Sequence, residues 1–422
     1  MARTFLTRLG FSLGSVRPPQ PRVVLATTHL SKITGNLRFV QEELASRTPP
    51  VTVRVVALKR GGRLARFNVL VTTFRAGYEL AASRVTVVDD YYFPMYVVTP
   101  RPGTARIQVW HAAGAFKKFG YSVIDKSFGA DAETVRDVQI HSNYSLALVS
   151  SMAVAPHYAE AFGHPGDIFT ARVGLPRTDL FGDPERRARA EARVRSTYPL
   201  SAGKRIVLYA PTFRGETVGK ARYADLMDLD VMHRVLGEDH LLLLKLHPFI
   251  RDAVHVPPEL REFVIDASGD PDVNELMLVS DVLVTDYSSV IYEFALLGRP
   301  IVFLAPDDNE YDEERGFYFD FRREAPGPIV DTTEDLATVI RADDWDLDRV
   351  RAFAARSWDV PAGGAARRLV DAVLLPALAG EPVGPEAVAR RLGPAGEPGP
   401  SGEPVLVAAQ SEPRPVEASS VR

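Results

Sequence analysis

The residues best equipped for chemistry in this 422-residue chain are two histidines, a few cations and a pair of serines. His111 follows the strand-like run Ile107–Trp110 and falls at its carboxyl end. An imidazole titrates near neutrality, so at that position it suits removal of a proton from an alcohol. The alternative is a histidine bonded to a loop carbonyl. Lys117 and Lys118 add positive charge just behind it. A second group lies further along. Thr212 and Arg214 follow the run RIVLYA. Lys245 and His247 end the run HLLLLKLHP and share one strand face. Asp286, Ser288 and Ser289 sit in TDYSS, and Asp307 follows IVFLAP. Guanidinium, ammonium and imidazole groups beside hydroxyls suit a diphosphate. Glu293 lies one helical turn beyond Ser289, where a carboxylate suits ribose hydroxyls.

These groups need elements to aim them. Ser280–Arg299 reads as a β-α-β unit. Val282–Val284 form a strand, Thr285–Tyr287 a turn, and Ser288 and Ser289 open a helix that Gly298 ends. A strand returns at Ile301, so the sheet is parallel. In such sheets strand ends direct ligands to helix N-termini, where backbone N–H groups attract phosphate. The plainer reading of the two serines is helix capping. Upstream, RVVLATT (22–28) reads as a strand, GNLRFVQEELASR as a helix and VTVRVVAL as a strand. Strand and helix patterns alternate through RFNVLVTT, FRAGYELAAS and RVTVVDD. The small residues Ala112–Ala115 leave room for a substrate. His29, at the end of the first strand, is a weaker crevice candidate. Arg315 and its aromatic neighbours suit either a nucleotide floor or a loop core.

The alternation predicts an α/β chain of two doubly wound domains. Residues 21–182 form the first, 183–204 a charged connector, and 205–379 the second. Residues 1–20 are basic and partly apolar. They read first as a frayed, solvated terminus; as a helix they would align Phe5, Leu6, Leu9 and Leu13 beside Arg3, Arg8 and Arg17, which suits anionic lipid. Residues 380–422 carry eight prolines between Pro382 and Pro415 and read as a disordered tail, with AVARRLG a short helix at most.

Composition narrows the function. A net charge of −4 gives no nucleic-acid field, and the absence of cysteine removes disulfide and thiol chemistry. No apolar run is long enough to span a bilayer. No G-x-G-x-x-G follows the first strand, and no histidine pair has metal-ligand spacing. A tightly bound cofactor is not expected, and the need for a divalent metal stays open.

The motifs QVWHAAGAFKKFG, LYAPTFRG, KLHP, TDYSSVIYEFALLGRPIVFLAPD and Y-x-x-x-RGFYFDF, in this order, resemble the CDP-glycerol:glycerophosphotransferases of teichoic-acid synthesis. The resemblance runs from about residue 20 to 375. It implies a GT-B fold, two Rossmann-like domains facing one cleft. It implies His111 as base, with His247, Ser288, Ser289 and Arg214 on the donor phosphates. The donor would be CDP-glycerol and the acceptor a lipid-linked saccharide at the cytoplasmic membrane surface. W-H-A-A-G, where many polymerases read W-H-G-T, is more similar to the priming enzymes that add one unit. A CDP-ribitol transferase, a GT-B nucleotide-sugar glycosyltransferase and a scaffold with a decayed site are the rival readings.

Overall fold

The computed structural model describes residues 2–28, 32–57, 65–124, 126, 138–215, 222–250 and 254–394. His29 and the chain beyond 394 lie outside them. Twelve described strands divide equally into two parallel sheets. The first contains β1 (Gln20–Thr27), β2 (Val53–Ala57), β3 (Ser83–Val88), β4 (Ala105–Gln108), β5 (Leu146–Leu148) and β6 (Phe169–Thr170), in the order β2-β1-β3-β4-β5-β6. The second contains β7 (Arg205–Tyr209), β8 (His240–Leu244), β9 (Val264–Asp266), β10 (Val282–Thr285), β11 (Ile301–Leu304) and β12 (Ile329–Val330), in the order β12-β11-β10-β7-β8-β9. Counted from its own first strand, the second sheet runs 6-5-4-1-2-3, the Rossmann order. Its direction reverses between β7 and β10. The first reverses between β1 and β3. Ligand crevices in doubly wound sheets form outside the strand carboxyl ends at such points.

The strands read as apolar runs because both faces are covered. Leu283, Ile301, Phe303, Leu241 and Leu243 are fully buried on one side of the second sheet, and Val282, Val284, Leu242 and Leu244 on the other. The β-α-β unit follows the expected course. β10 pairs with β11 in parallel, and Gly298 takes φ +62° at the end of the intervening helix, Val290–Ala295.

Two expectations need correction. RFNVLVTT is not a strand, since a single helix covers Ala65–Ala82. Its β-branched run favours a strand locally, but packing along the N-terminal helix overrides that weak preference. We label the helices α1 (Ala2–Gly14), α2 (Gly35–Ala45), α3 (Ala65–Ala82) and α4 (Phe93–Tyr96). The N-terminus is not frayed: α1 is ordered against α3, burying Thr7, Gly10 and Gly14. Order also runs past 380: the short helix allowed at AVARRLG forms over Pro385–Leu392 and buries Val388 completely.

The lobes are joined by backbone as well as side chains. Lys118 N–H donates to the Gly316 carbonyl at 2.9 Å, and Tyr318 N–H to the Phe116 carbonyl at 3.3 Å. The Phe116 ring meets Phe317, Phe319 and Phe321 edge-on at centroid distances of 5.8, 5.2 and 5.6 Å. The chain then returns to the first lobe. Asp179 accepts from the N–H groups of Ala365 and Ala366, and the helix Leu375–Ala379 packs on β1 and β3.

His141 sits inside the first lobe, stacked on Phe162 at 3.9 Å and bonded to the Tyr144 hydroxyl at 3.1 Å. Burial pushes its pKa down to about 3. Unfolded, it would take a proton near 6.5. Between those values the unfolded chain binds the extra proton, so stability falls as pH falls, by about 1.4 kcal/mol per pH unit. Replacing it by His141→Phe should flatten the dependence of the melting temperature on pH between about 6.5 and 4. An unchanged slope would show that other groups set it.

Candidate active site

His111 follows β4, next to the switch point of the first sheet. Trp110 precedes it at φ +49°, a left-handed conformation that costs a tryptophan energy and must be held by its surroundings. Asn36, in the first turn of α2, holds it. Its amide donates to the carbonyls of Val109 and Trp110 at 3.1 and 2.7 Å and accepts from Arg177 N–H at 2.9 Å. Tyr158 and Ser150 bind the next carbonyls, those of Ala112, Gly114 and Ala113. The turn is therefore fixed before any ligand arrives.

The His111 side chain is 52% exposed. Its Nδ1 lies 3.3 Å from the Asp89 carbonyl and 3.6 Å from an Asp90 carboxylate oxygen. A carbonyl can only accept, so this contact assigns the proton to Nδ1 and leaves the Nε2 lone pair as the base. Asp90 is buried beside it and can stabilise the imidazolium formed on proton uptake.

His247 lies beyond the end of β8, in the other lobe. Phe249 N–H donates to its Nδ1 at 3.2 Å, which leaves Nε2–H as a donor. Burial first, then the charges of Lys117, His111, Arg315 and Lys245, push its pKa down to about 3. Two of those groups, Lys117 and His111, belong to the first lobe. The His247 ring packs on Phe213 at 4.9 Å, Arg315 stands over Phe213 and Tyr311, and Lys117 reaches the same Tyr311. Near neutral pH His247 is an uncharged hydrogen-bond donor. The hydroxyls of Ser288 and Ser289 are part-exposed at the start of the helix Val290–Ala295. Neither side chain caps it, apart from a long 3.4 Å contact from Val290 N–H to Ser288 Oγ.

The other expected ligands are placed differently. Arg214 is buried and fully engaged. Its Nε and Nη2 donate to Asp307 at 2.8 and 3.0 Å, and Nη1 donates to Thr212 Oγ1 and Asp286, each at 2.9 Å. Burial alone would lower its pKa, but the charges of Asp286 and Asp307 outweigh that and raise it. Thr212 gives both its N–H and its hydroxyl to Asp286. These three residues brace the β7–β10 switch point instead of facing a phosphate. Lys245 is buried with its ammonium on the carbonyls of Ser268 and Asp270 at 2.8 and 2.6 Å, and burial lowers its pKa. Strand β8 ends at Leu244, so the alternation that paired Lys245 with His247 stops before either residue.

Glu293 also departs from its expected role. It is 3% exposed and pairs with Arg177 of the first lobe at 3.0 Å. Arg177 in turn donates to the His111 carbonyl. The carboxylate thus supports the His111 turn from the opposite lobe. Burial pushes its pKa up and the Arg177 charge pulls it back. Ala112–Ala115 are small for packing, not for substrate. A Cβ on Gly114 would lie 2.0 Å from the Tyr292 ring. Arg315 is buried beneath the site, its guanidinium 4.6 Å from the Phe213 ring centre and bonded to the Gly215 carbonyl. Lys117 makes the bridge to Phe317 and reaches over Tyr311.

Residues 12–375 match the family described as CDP-glycerol:poly(glycerophosphate) glycerophosphotransferase. The chain belongs to this family. It is 38% identical over 384 residues to the teichoic acid ribitol-phosphate primase of Bacillus spizizenii, covering 87% of this chain and 97% of that one. It is 35% identical to the teichoic acid poly(ribitol-phosphate) polymerase of the same organism, of which it spans 56%. A teichoic acid glycerol-phosphate primase from that organism is 31% identical over 79% of this chain and 82% of its own length. Among solved structures, the wall teichoic acid polymerase TagF superposes with a TM-score of 0.74 at 21% identity, covering 89% of this chain and 94% of that one. That likeness establishes the GT-B-like arrangement of two Rossmann-type lobes. The family and its relatives make the chain a polyol-phosphate transferase of teichoic acid synthesis.

Removing one member of the Arg177–Glu293 pair leaves a buried charge unmatched. Glu293→Leu should destabilise the fold by about 3–5 kcal/mol, and Arg177→Met/Glu293→Leu together by less than the sum of the two single changes. Chemical denaturation of the four proteins measures this. Additive losses would show that the two side chains do not interact.

Proposed function

We propose that the protein transfers a polyol phosphate from a CDP-activated donor to a hydroxyl of a lipid-linked saccharide, releasing CMP. The observation that carries this reading is the imidazole of His111, fixed on Asp89 and Asp90 in one lobe, sharing its surroundings with an uncharged imidazole N–H in the other. His111 Nε2 takes the proton of the acceptor hydroxyl. The oxygen attacks the β-phosphorus, a new P–O bond forms, and the bond to the bridging oxygen breaks. Charge grows on the departing CMP. We assign His247 Nε2–H and the hydroxyls of Ser288 and Ser289 to receive it, with Lys117 adding positive charge.

The greater likeness to ribitol-phosphate than to glycerol-phosphate primases supports ribitol. CDP-glycerol, which the motifs first suggested, is the second reading, supported by the family description. The W-H-A-A-G turn supports addition of one unit. A lipid-linked acceptor supports work at the cytoplasmic face of the membrane, as a peripheral enzyme.

The deciding assay supplies CDP-ribitol or CDP-glycerol with a soluble analogue of the lipid-linked disaccharide. CMP and a product one ribitol phosphate heavier are expected. A nucleoside diphosphate released from a nucleotide sugar would instead indicate a glycosyltransferase. His111→Ala should lower kcat by about 10²–10⁴-fold with donor affinity kept. Near-normal turnover would remove it as base. His247→Ala should weaken CMP binding in titration calorimetry; unchanged affinity would take it off the phosphates.

A further inference from the structure

The two imidazoles are carried by different lobes, and one arginine between the lobes is bonded toward both. Arg193 lies on the connector helix Pro184–Thr197, which buries Ala190 and Val194. Its Nη1 and Nη2 donate to the two oxygens of Asp270 at 3.1 and 3.2 Å, and its Nε donates to Glu275 Oε2. Exposed pairs on the same helix, such as Arg189 with Glu185, contribute little. The Asp270 side chain is only 1% exposed, and a carboxylate so far from water needs its cation.

From Asp270 the contacts run on toward His247. The Asp270 carbonyl accepts from the Lys245 ammonium at 2.6 Å, and Ser268 Oγ accepts from Leu246 N–H at 3.0 Å. The loop after β9 therefore pins the two residues that precede His247. From Glu275 the contacts run toward His111. Its other oxygen, Oε1, accepts from Arg38 Nη1 at 3.4 Å. Arg38 is on α2, two residues after Asn36, whose amide holds the carbonyls of Val109 and Trp110. Arg186 of the connector pairs with Glu42 on the same helix. The phenylalanine seam alone would leave the lobes free to turn about one line. A clasp at α2 removes that freedom.

We infer that Arg193 is a positioning residue. Its fork fixes the seat of α2 against the loop before His247, and so sets the spacing of the imidazole that takes the proton from the imidazole on the donor side. This rests on the reaction proposed above. Residues that act by placement alter turnover more than binding, and a displacement of about 1 Å can cost ~10²-fold. Lysine keeps a charge beside Asp270 but offers a point in place of a fork, so it cannot hold both carboxylates in this geometry.

The test compares the wild type with Arg193→Lys, Arg38→Met and the double variant. With a soluble acceptor, kcat for CMP release should fall about tenfold in Arg193→Lys and about threefold in Arg38→Met, while CMP affinity in calorimetry stays within about twofold. The double variant should be no slower than Arg193→Lys, since either change opens the same clasp. Wild-type turnover in both single variants overturns the inference. So do losses that multiply in the double variant, or an equal fall in kcat and CMP affinity, which a merely structural role would give. A second measurement needs no turnover. The chain has no cysteine, so spin labels at Gln41→Cys on α2 and Glu259→Cys in the second lobe, both exposed positions, report one distance. Its distribution should be narrow in the labelled parent and broader when Arg193→Lys is added; an unchanged distribution overturns the inference. That broadening, in a protein whose wild type releases no CMP, would keep the clasp and reject the proposed reaction.

Discussion

The buried ion pair of Arg177 with Glu293, between the lobes, is the constraint on which the site most depends. Each charge is costly to bury, and each is made tolerable by the other. Arg177 spends a further donor on the His111 carbonyl, and its backbone N–H goes to Asn36. The left-handed Trp110 is therefore held by groups from α2, from the segment before the connector and from the second lobe. An imidazole carried on such a turn keeps its position without help from a ligand, which is what preorganisation requires.

The second lobe solves a related problem at its own switch point. Its order brings the β7 and β10 ends side by side, and there the Arg214 guanidinium lies between two carboxylates. Tyr287 stacks on Tyr311 at 4.1 Å and donates to Asp307, which closes the cluster. The cations that seemed available for a phosphate are thus largely neutralised by protein. What remains nearby is softer: a neutral imidazole N–H on His247 and the two part-exposed serine hydroxyls. In the proposed reaction such groups would hold a diphosphate through directed hydrogen bonds more than through bulk charge.

The sequence conveyed the architecture well because both sheets are buried on two sides, so their strands are unbroken apolar runs. Gly298 marked its helix end for a local steric reason. The places of His111 and His247, just past the carboxyl ends of β4 and β8, were legible because the apolar runs show where each strand stops. The partners of those histidines were not. Asn36, Asp90 and Arg177 come from three separate elements, and no spacing links them. Arg214 and Glu293 were misassigned for one reason. A charged residue at a strand end or helix start looks the same whether its counter-charge is a ligand or a residue dozens of positions away. The α3 segment misled differently, because its β-branched residues were reporting local preference and its actual state was set by α1.

The contact of Gly114 with the Tyr292 ring has a mechanical corollary. With no side chain to act as a spacer, the two lobes meet there at van der Waals range, and the Phe116–Lys118 and Gly316–Tyr318 backbones zip together a few residues on. A jaw-like opening along that seam would have to unzip main-chain bonds and part a cluster of phenylalanines. Those contacts hold the lobes at a set separation, and the seam behaves as a fixed spine.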